Sequence, residues 1–177
     1  MSAPAKASPD GIEDRHVSAT GWFQRHANPT SLILIALLLA TALLGVLGGH
    51  PNPTHIAAGD AVRLSVKSPA ILRNGTFYEM RIRIEPRVPI ADVTLAISLR
   101  LWRDITINSA IPAAENESFK DGMVHMSFGP GEPGEPIEIK FDGQVNPPLV
   151  GRNEGVVAVY DGDRKLVSLP MSVRVLP

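Results

Sequence analysis

Met123 and His125 are the residues in this chain whose side chains best suit a metal ion. They lie two apart in the segment Met-Val-His-Met, so on a β-strand they point to the same side. A thioether and an imidazole are ligands that favour Cu(I). His50 and His55 supply two further imidazoles earlier in the chain. Two neighbouring ligands do not complete a site, and copper handling or ligand sensing is therefore the alternative function rather than the principal one.

The residues of common catalytic centres do not occur together in this sequence. It contains no Gly-x-Ser-x-Gly and no His-Glu-x-x-His motif, and it has no cysteine. One histidine, His125, lies beyond residue 60. Without cysteine the chain forms no disulfide framework and no zinc-thiolate site. We therefore expect a protein that is not an enzyme and that binds no cofactor.

Arginine and tryptophan supply the other candidate site, an interaction surface. Arg81 and Arg83 alternate with apolar residues and are expected to point outward from a strand. If the next strand is their neighbour, Arg100, Trp102 and Arg103 extend them into one strip. Arginine and tryptophan are enriched at protein interfaces, so this strip is the predicted docking surface. A solvated face balanced by nearby glutamates is the other interpretation.

The charge balance limits the kind of partner. The chain of 177 residues has 17 lysines and arginines against 18 aspartates and glutamates, a formal net charge of −1. A nucleic-acid-binding domain needs a clustered basic footprint, which this composition does not favour. We expect no nucleic acid, and a partner that is another membrane or envelope protein.

An uncharged apolar run covers residues 31–49 and marks a membrane-spanning segment. A helix of about 20 apolar residues crosses a hydrocarbon core of about 30 Å. Apolar residues occupy every helical face of the run, whereas a helix in a soluble core keeps a polar side. The sequence therefore predicts a transmembrane helix over residues 30–49.

The flanking charges predict the orientation of that helix. Lys6, Arg15 and Arg25 precede it, and the next basic residue after it is Arg63. The positive-inside rule then places the N-terminus in the cytoplasm and the larger part of the chain outside it. We expect a single-pass signal-anchor protein of the cytoplasmic (inner) membrane, with residues 1–29 forming a disordered cytoplasmic tail.

Small residues recur at a spacing of four within the apolar run. Thr41, Gly45 and Gly49 form the small-xxx-small pattern that lets two membrane helices approach closely. This pattern predicts helix packing, including a homo-oligomer formed through the helix. The other interpretation is that the glycines loosen the end of the helix.

Residues 50–60 contain two prolines and are predicted to form an extended spacer. From residue 61 to residue 177 the apolar residues alternate with polar ones, which indicates antiparallel strands buried on one side. About seven short strands separated by turn residues are typical of an immunoglobulin-like β-sandwich. The clearest alternating segments are residues 62–67, 78–84, 93–101, 137–141 and 171–175.

Part of this region resembles a known family. The resemblance is carried by four segments in a fixed order. The first two are Pro-Ile-Ala-Asp-Val-Thr-Leu-Ala-Ile at 89–97 and Ile-Thr-Ile-Asn-Ser-Ala-Ile-Pro at 105–112. The other two are Asp-Gly-Met-Val-His-Met-Ser-Phe-Gly at 121–129 and, after a Gly/Pro/Glu turn, Ile-Glu-Ile-Lys-Phe at 137–141. This order is similar to the conserved-repeat immunoglobulin-like domains of bacterial surface proteins, the family called domain of unknown function eleven. The resemblance covers about a third of the chain, and it implies scaffolding or adhesion rather than catalysis.

Overall fold

The computed structural model describes residues 21–46 and 48–177. Most of the predicted cytoplasmic tail (1–29) lies outside these residues. Within them the chain forms one α-helix and eleven β-strands. The helix belongs to one unit and the strands belong to a second, Leu47–Pro177.

The helix α1 (Trp22–Leu43) begins earlier than residue 30, where the sequence predicts its start. That prediction took Pro29 as a first-turn residue, but Pro29 lies inside the helix. Proline removes one backbone hydrogen bond from a helix, and here the residues before it are helical as well. Trp22 and His26, one turn apart, have ring centroids 5.1 Å from each other. Within the described residues, no helix meets the combined length and apolarity needed to cross a membrane.

Gly45 explains why α1 ends before residue 49. Its φ of 63° is left-handed, its N–H donates to the carbonyl of Ala42, and the N–H of Val46 donates to the carbonyl of Thr41. These two hydrogen bonds are the Schellman motif that closes many helices at a glycine. Thr41 therefore lies in the last turn of α1, whereas Gly45 and Gly49 lie beyond it. No helical face carries the three predicted packing residues together.

Five strands form the first sheet, here called sheet A, in the order β1-β2-β4-β9-β6. All its neighbouring strands are antiparallel. Its strands are β1 (Thr54–Ala58), β2 (Val62–Lys67), β4 (Phe77–Pro86), β6 (Ile105–Ile111) and β9 (Ile137–Val145).

Six strands form the second sheet, sheet B, in the order β3-β11-β10-β5-β8-β7. Its pairs are antiparallel except for β3 with β11, which is parallel. Its strands are β3 (Ile71–Arg73), β5 (Val93–Ser98), β7 (Asn116–Lys120), β8 (Met123–Ser127), β10 (Gly151–Asp161) and β11 (Arg164–Leu176).

Both sheets contribute one apolar side to a shared core, which confirms the predicted all-β sandwich. On β2 and β4 every second residue is buried, as the alternation in the sequence indicates. Phe141 is the largest fully buried side chain of the described residues, and the indole of Trp102 packs edge-on against it with ring centroids 5.3 Å apart. Such an edge-on contact stabilises the fold beyond the burial of the two aromatic surfaces alone.

The sandwich has more strands than the sequence predicts, because the additional ones are short and lie at sheet edges. Strand β1 falls inside the predicted spacer (50–60) and is mostly exposed. All five residues of β7 are exposed, and β3 has three residues. An edge strand with both faces solvated shows no alternation of apolar and polar residues.

Gly131 and Gly143 are two of the glycines that lie where another chain segment approaches closely. Gly131 forms a bridge with Ile90, and a Cβ there would lie 2.6 Å from Cγ2 of Val93. A Cβ at Gly143, on β9, would lie 2.8 Å from Cε1 of Tyr78. Glycine inside a strand often marks such an approach. Gly131 belongs to the Gly/Pro/Glu turn, which is thus a packed connection between strands.

We expect Phe141→Ala to lower the free energy of unfolding by about 3–5 kcal/mol, because it removes a fully buried aromatic ring and leaves a cavity. Urea unfolding of the full chain in detergent, followed by Trp102 fluorescence in a Trp22→Phe background, measures this. The control Phe119→Ala removes an exposed ring and should change the value by about 0.5 kcal/mol or less. Equal effects of the two substitutions would contradict the central position of Phe141.

Candidate functional site: the charged face of sheet A

The outward side of sheet A carries a dense set of charged residues. Strands β2, β4 and β9 are central in this sheet, and their outward positions alternate with the buried ones. We call this surface the charged face. Its charged residues are Arg63 and Lys67 on β2, Glu79, Arg81, Arg83 and Glu85 on β4, and Glu138, Lys140 and Asp142 on β9.

Three cations lie side by side in the middle of the charged face. Lys67 is directly opposite Arg81, and Arg81 is directly opposite Lys140. Like charges at directly opposite positions of neighbouring strands destabilise a sheet. Nearby carboxylates must therefore offset this row of cations.

One group of ion pairs compensates Arg81 and Lys140. Nε of Arg81 donates to the carboxylate of Glu79, and Nζ of Lys140 lies 3.2 Å from the same carboxylate. Lys140 is also 3.3 Å from Asp142 Oδ2. The hydroxyl of Ser109, on the edge strand β6, donates to Asp142 at 2.9 Å. The group therefore connects β4, β9 and β6 across the sheet.

A second group of ion pairs is centred on Arg83. Its Nε is 2.7 Å from Glu85 Oε1, and its Nη1 donates to Glu138 on the neighbouring strand. Glu85 is also 4.0 Å from Nε of Arg63 on β2. One guanidinium thus joins two carboxylates from adjacent strands, a use of its several donors that a lysine does not reproduce.

Lys67 differs from the other cations of the row. Within the described part of the chain, no carboxylate lies within ion-pair distance of its amine. Its side chain is exposed, at the end of the row formed with Arg81 and Lys140. Its three N–H donors are therefore available to a ligand.

A groove of about 490 Å³ lies on the charged face. Lys67, Arg81 and Lys140 line it, with Thr54 at the β1 side and Ile111 at the β6 side. Apolar side chains also surround the charges, since Ile56, Phe77 and Ile111 occupy outward positions and are 50%, 73% and 59% exposed. Charged donors next to exposed apolar side chains suit binding to another molecule.

The ion pairs change the proton affinities of their members. Hydrogen bonds from Arg81 and then from Lys140 hold the pKa of Glu79 below its usual value. In the same way Arg83 lowers the pKa of Glu85. The pKa of Lys140 is raised, mainly by its hydrogen bond to Glu79. These carboxylates therefore stay ionised, and the charge pattern of the face persists below neutral pH.

The structure does not bring the five predicted docking residues together. Arg81 and Arg83 lie on β4, in sheet A, whereas Arg100 and Arg103 follow β5, which pairs with β8 and β10 in sheet B. The prediction of one strip required neighbouring strands and is wrong. Consecutive strands of a sandwich often belong to different sheets, and strand length and alternation do not reveal this change.

Trp102 is partly buried and packs against the core rather than forming an exposed anchor. Its indole contacts Phe141, and its Nε1 is buried with no hydrogen-bond partner among the described residues. Arg103 donates to Oδ1 of the buried Asn153 at 3.2 Å, and the amide of Asn153 donates to the carbonyl of Arg103 at 2.8 Å. These contacts hold the loop after β5 against β10.

Met123 and His125 lie on one side of β8, and His125 packs against Tyr160 with ring centroids 5.1 Å apart. Among the residues that the structure describes, no group of three or more His, Asp or Glu side chains could hold a metal ion. Met126 is buried in the core, and copper binding by Met123 and His125 stays a prediction.

Lys67, Glu138 and Lys140 are the site residues that the sequence analysis missed. Each lies in a segment whose alternation is visible in the sequence, so their outward direction was predictable. Their proximity depends on β4 pairing with both β2 and β9, and β2 and β9 are distant from each other in the chain.

Comparisons with known proteins concern the fold. No family model matches the sequence, and no curated protein matches it. A non-cellulosomal cohesin from the hyperthermophilic archaeon Archaeoglobus fulgidus is 15% identical with a TM-score of 0.39, over 70% of this chain and 91% of that one. CaCohA2 from Clostridium acetobutylicum is 13% identical with a TM-score of 0.44, over 66% of this chain and 92% of that one.

A CARDB domain from Pyrococcus furiosus is also similar, at 11% identity with a TM-score of 0.40, over 68% of this chain and 93% of that one. The resemblance to the conserved-repeat surface family stays a prediction.

We expect the pKa of Glu79 in the folded chain to lie below its usual value and to rise in the variant Arg81→Gln, which removes the largest cause of the shift. A lowered carboxyl pKa stabilises the fold above the unfolded-state pKa, and this contribution is lost as the pH falls through the folded-state value. NMR titration of the Glu79 carboxyl carbon measures this pKa in the unsubstituted protein and in Arg81→Gln. Arg174→Gln, on sheet B, is the matched control, and an equal effect of the control would contradict the assignment.

Proposed function

We propose that this chain is a non-catalytic, single-pass membrane accessory or scaffold protein. It presents an extracytoplasmic immunoglobulin-like domain that binds another membrane or envelope protein through the charged face. The observation that carries this proposal is the groove on sheet A, in which exposed cations lie beside the exposed side chain of Ile111, with Ile56 and Phe77 exposed elsewhere on the same face.

The composition of the charged face supports binding rather than simple solvation. A sheet face that meets only water carries polar side chains at its outward positions. Here Ile56, Phe77 and Ile111 are outward and at least half exposed. Protein interfaces combine apolar and aromatic contact residues with a polar, solvated rim. A protein partner would bury these three side chains and form ion pairs with the charged side chains around them.

The apolar segment of residues 30–49, which includes the second half of α1, is the membrane anchor in this proposal. The large side chains from Leu32 to Leu39 are 53–67% exposed, so the helix does not bury them by itself. Oγ1 of Thr41 donates to the carbonyl of Leu38 at 2.7 Å, and this hydroxyl therefore needs no water. Both features suit a lipid environment.

The ionisation of the charged face argues against one catalytic role, that of a general acid. A general acid at neutral pH needs a carboxyl whose pKa is raised. Glu79 and Glu85 have lowered pKa values because Arg81 and Arg83 donate hydrogen bonds to them. These carboxylates serve to hold the arginines in position.

The topology has a direct test, because the chain has no native cysteine. We expect a membrane-impermeant maleimide to label Ser168→Cys, but not Ser8→Cys, in spheroplasts with an intact inner membrane, since residues 30–49 separate the two positions. Both variants should react after detergent lysis. Labelling of Ser8→Cys before lysis, or release of the chain from membranes by alkaline carbonate, would contradict the proposed anchor or its orientation.

Site-specific photo-crosslinking tests the binding surface. A benzoylphenylalanine at Ser65, in the groove, should give one dominant adduct in intact cells, and the same residue at Ser172, on the outward side of β11, should not. Adding Arg81→Glu should reduce the Ser65 adduct severalfold, because it reverses the central charge of the row. Equal adducts from Ser65 and Ser172 would exclude the charged face as the interaction surface.

A further inference from the structure

We infer that the groove on the charged face receives an extended, acidic peptide segment of the partner protein. Carboxylates of that segment would bind Lys67, Arg81 and Lys140. This inference rests on the proposed function, since it takes the charged face as the binding surface, and it adds the chemistry of what the surface recognises.

The local charge of the groove selects an anionic occupant. Its lining contains the cations Lys67, Arg81, Arg83 and Lys140 against the single carboxylate of Glu138. The chain as a whole has a net charge of −1. Glu79, Glu85 and Asp142 lie on the same face and pair with three of these cations, so the positive charge that no carboxylate offsets is that of Lys67. Electrostatic complementarity at Lys67 favours an acidic segment over a basic one.

The cations keep donors that the ion pairs do not use. Lys67 has no carboxylate partner within the described residues, and all three of its N–H groups are available. Arg81 donates to Glu79 through Nε, which leaves its terminal amino groups. The pairs with Glu79 and Asp142 also hold Arg81 and Lys140 in place, which reduces the conformational entropy that binding would cost.

The geometry of the row favours a chain over a single small anion. Neighbouring strands are about 4.8 Å apart, so Lys67 and Lys140 are separated by about 10 Å across β4. One phosphate or carboxylate meets both only if the two lysine side chains bend toward each other, and the ion pairs of Lys140 with Glu79 and Asp142 oppose this. An extended peptide advances about 3.3 Å per residue, and carboxylates on alternate residues, about 6.6 Å apart, lie within reach of long lysine and arginine side chains.

The ends of the groove define the rest of the segment. Thr54 lies at the β1 end of the same row, and the exposed Ile111 lies opposite Lys140 at the β6 end. The row crosses all five strands, a width of about 19 Å that about six extended residues span. We therefore expect a segment with acidic residues in its middle and an apolar residue at the β6 end.

The test uses the full chain in neutral detergent and a fluorescein-labelled hexaglutamate peptide, with hexalysine of the same length as the control. Fluorescence anisotropy should detect hexaglutamate binding that weakens as salt is added, and no hexalysine binding. Lys67→Glu should weaken hexaglutamate binding about tenfold, since it reverses one contacting charge. Lys67→Ala should weaken it less. Because Lys67 is outside the ion pairs, Lys67→Ala leaves the network of the face intact, whereas Lys67→Glu also places a carboxylate opposite Arg81.

The matched control is Lys165→Glu, which reverses an exposed lysine on β11 in sheet B. It should change hexaglutamate binding less than about twofold, since only its long-range field acts on the groove. Equal losses from Lys67→Glu and Lys165→Glu would overturn the inference, because they would indicate a general charge effect.

Two further outcomes would also overturn it. One is the absence of hexaglutamate binding, and the other is displacement of the peptide by inorganic phosphate at matched ionic strength, which would indicate a small-anion site. If phosphatidylglycerol vesicles bind in a Lys67-dependent manner and hexaglutamate does not, the groove recognises a lipid headgroup instead. A Ser65 crosslink that persists while hexaglutamate fails to bind would leave the proposed function standing and remove only the acidic segment.

Discussion

The pairing of β4 between β2 and β9 is the constraint on which both sides of sheet A depend. Side chains alternate along a strand, so a slip of one residue would move every buried residue of β4 to the solvent and every charge into the core. With the observed register, Ile82 and Ile84 are buried while Arg81 and Arg83 meet the side chains of β2 and β9. The same register that closes the core thus assembles the row of cations and their carboxylates.

Much of the fold could be predicted from the sequence, because burial on one side leaves a period of two. This holds for β2, β4 and β9, whose buried and exposed residues alternate. It fails for edge strands such as β7, which bury nothing on either face and so show no pattern. The end of α1 was missed for another reason, since an apolar run continues past Gly45 although a positive φ there stops the helix.

For the candidate site, the outward direction of single side chains was predictable from the sequence, but their grouping on one face was not. Alternation indicates that Arg81 and Arg83 point outward, as they do, but the partner strands of β4 are decided by long-range pairing. Trp102 shows the opposite error, because its residue type suggested an interface residue while its ring fills space beside Phe141. Residue type and spacing indicate which way a side chain points only where the strand itself is recognised.

The sharing of Arg83 between Glu85 and Glu138 has an evolutionary consequence. Loss of this arginine alone would leave Glu138 without its counter-ion, diagonal to Glu85, which would keep only Arg63 at 4.0 Å. Relatives of this chain are therefore expected to replace these three positions together, so that covariation links β4 to β9. A lineage that changes its binding specificity on this face would do so by concerted exchange of charge groups, while isolated substitutions would persist mainly at Lys67.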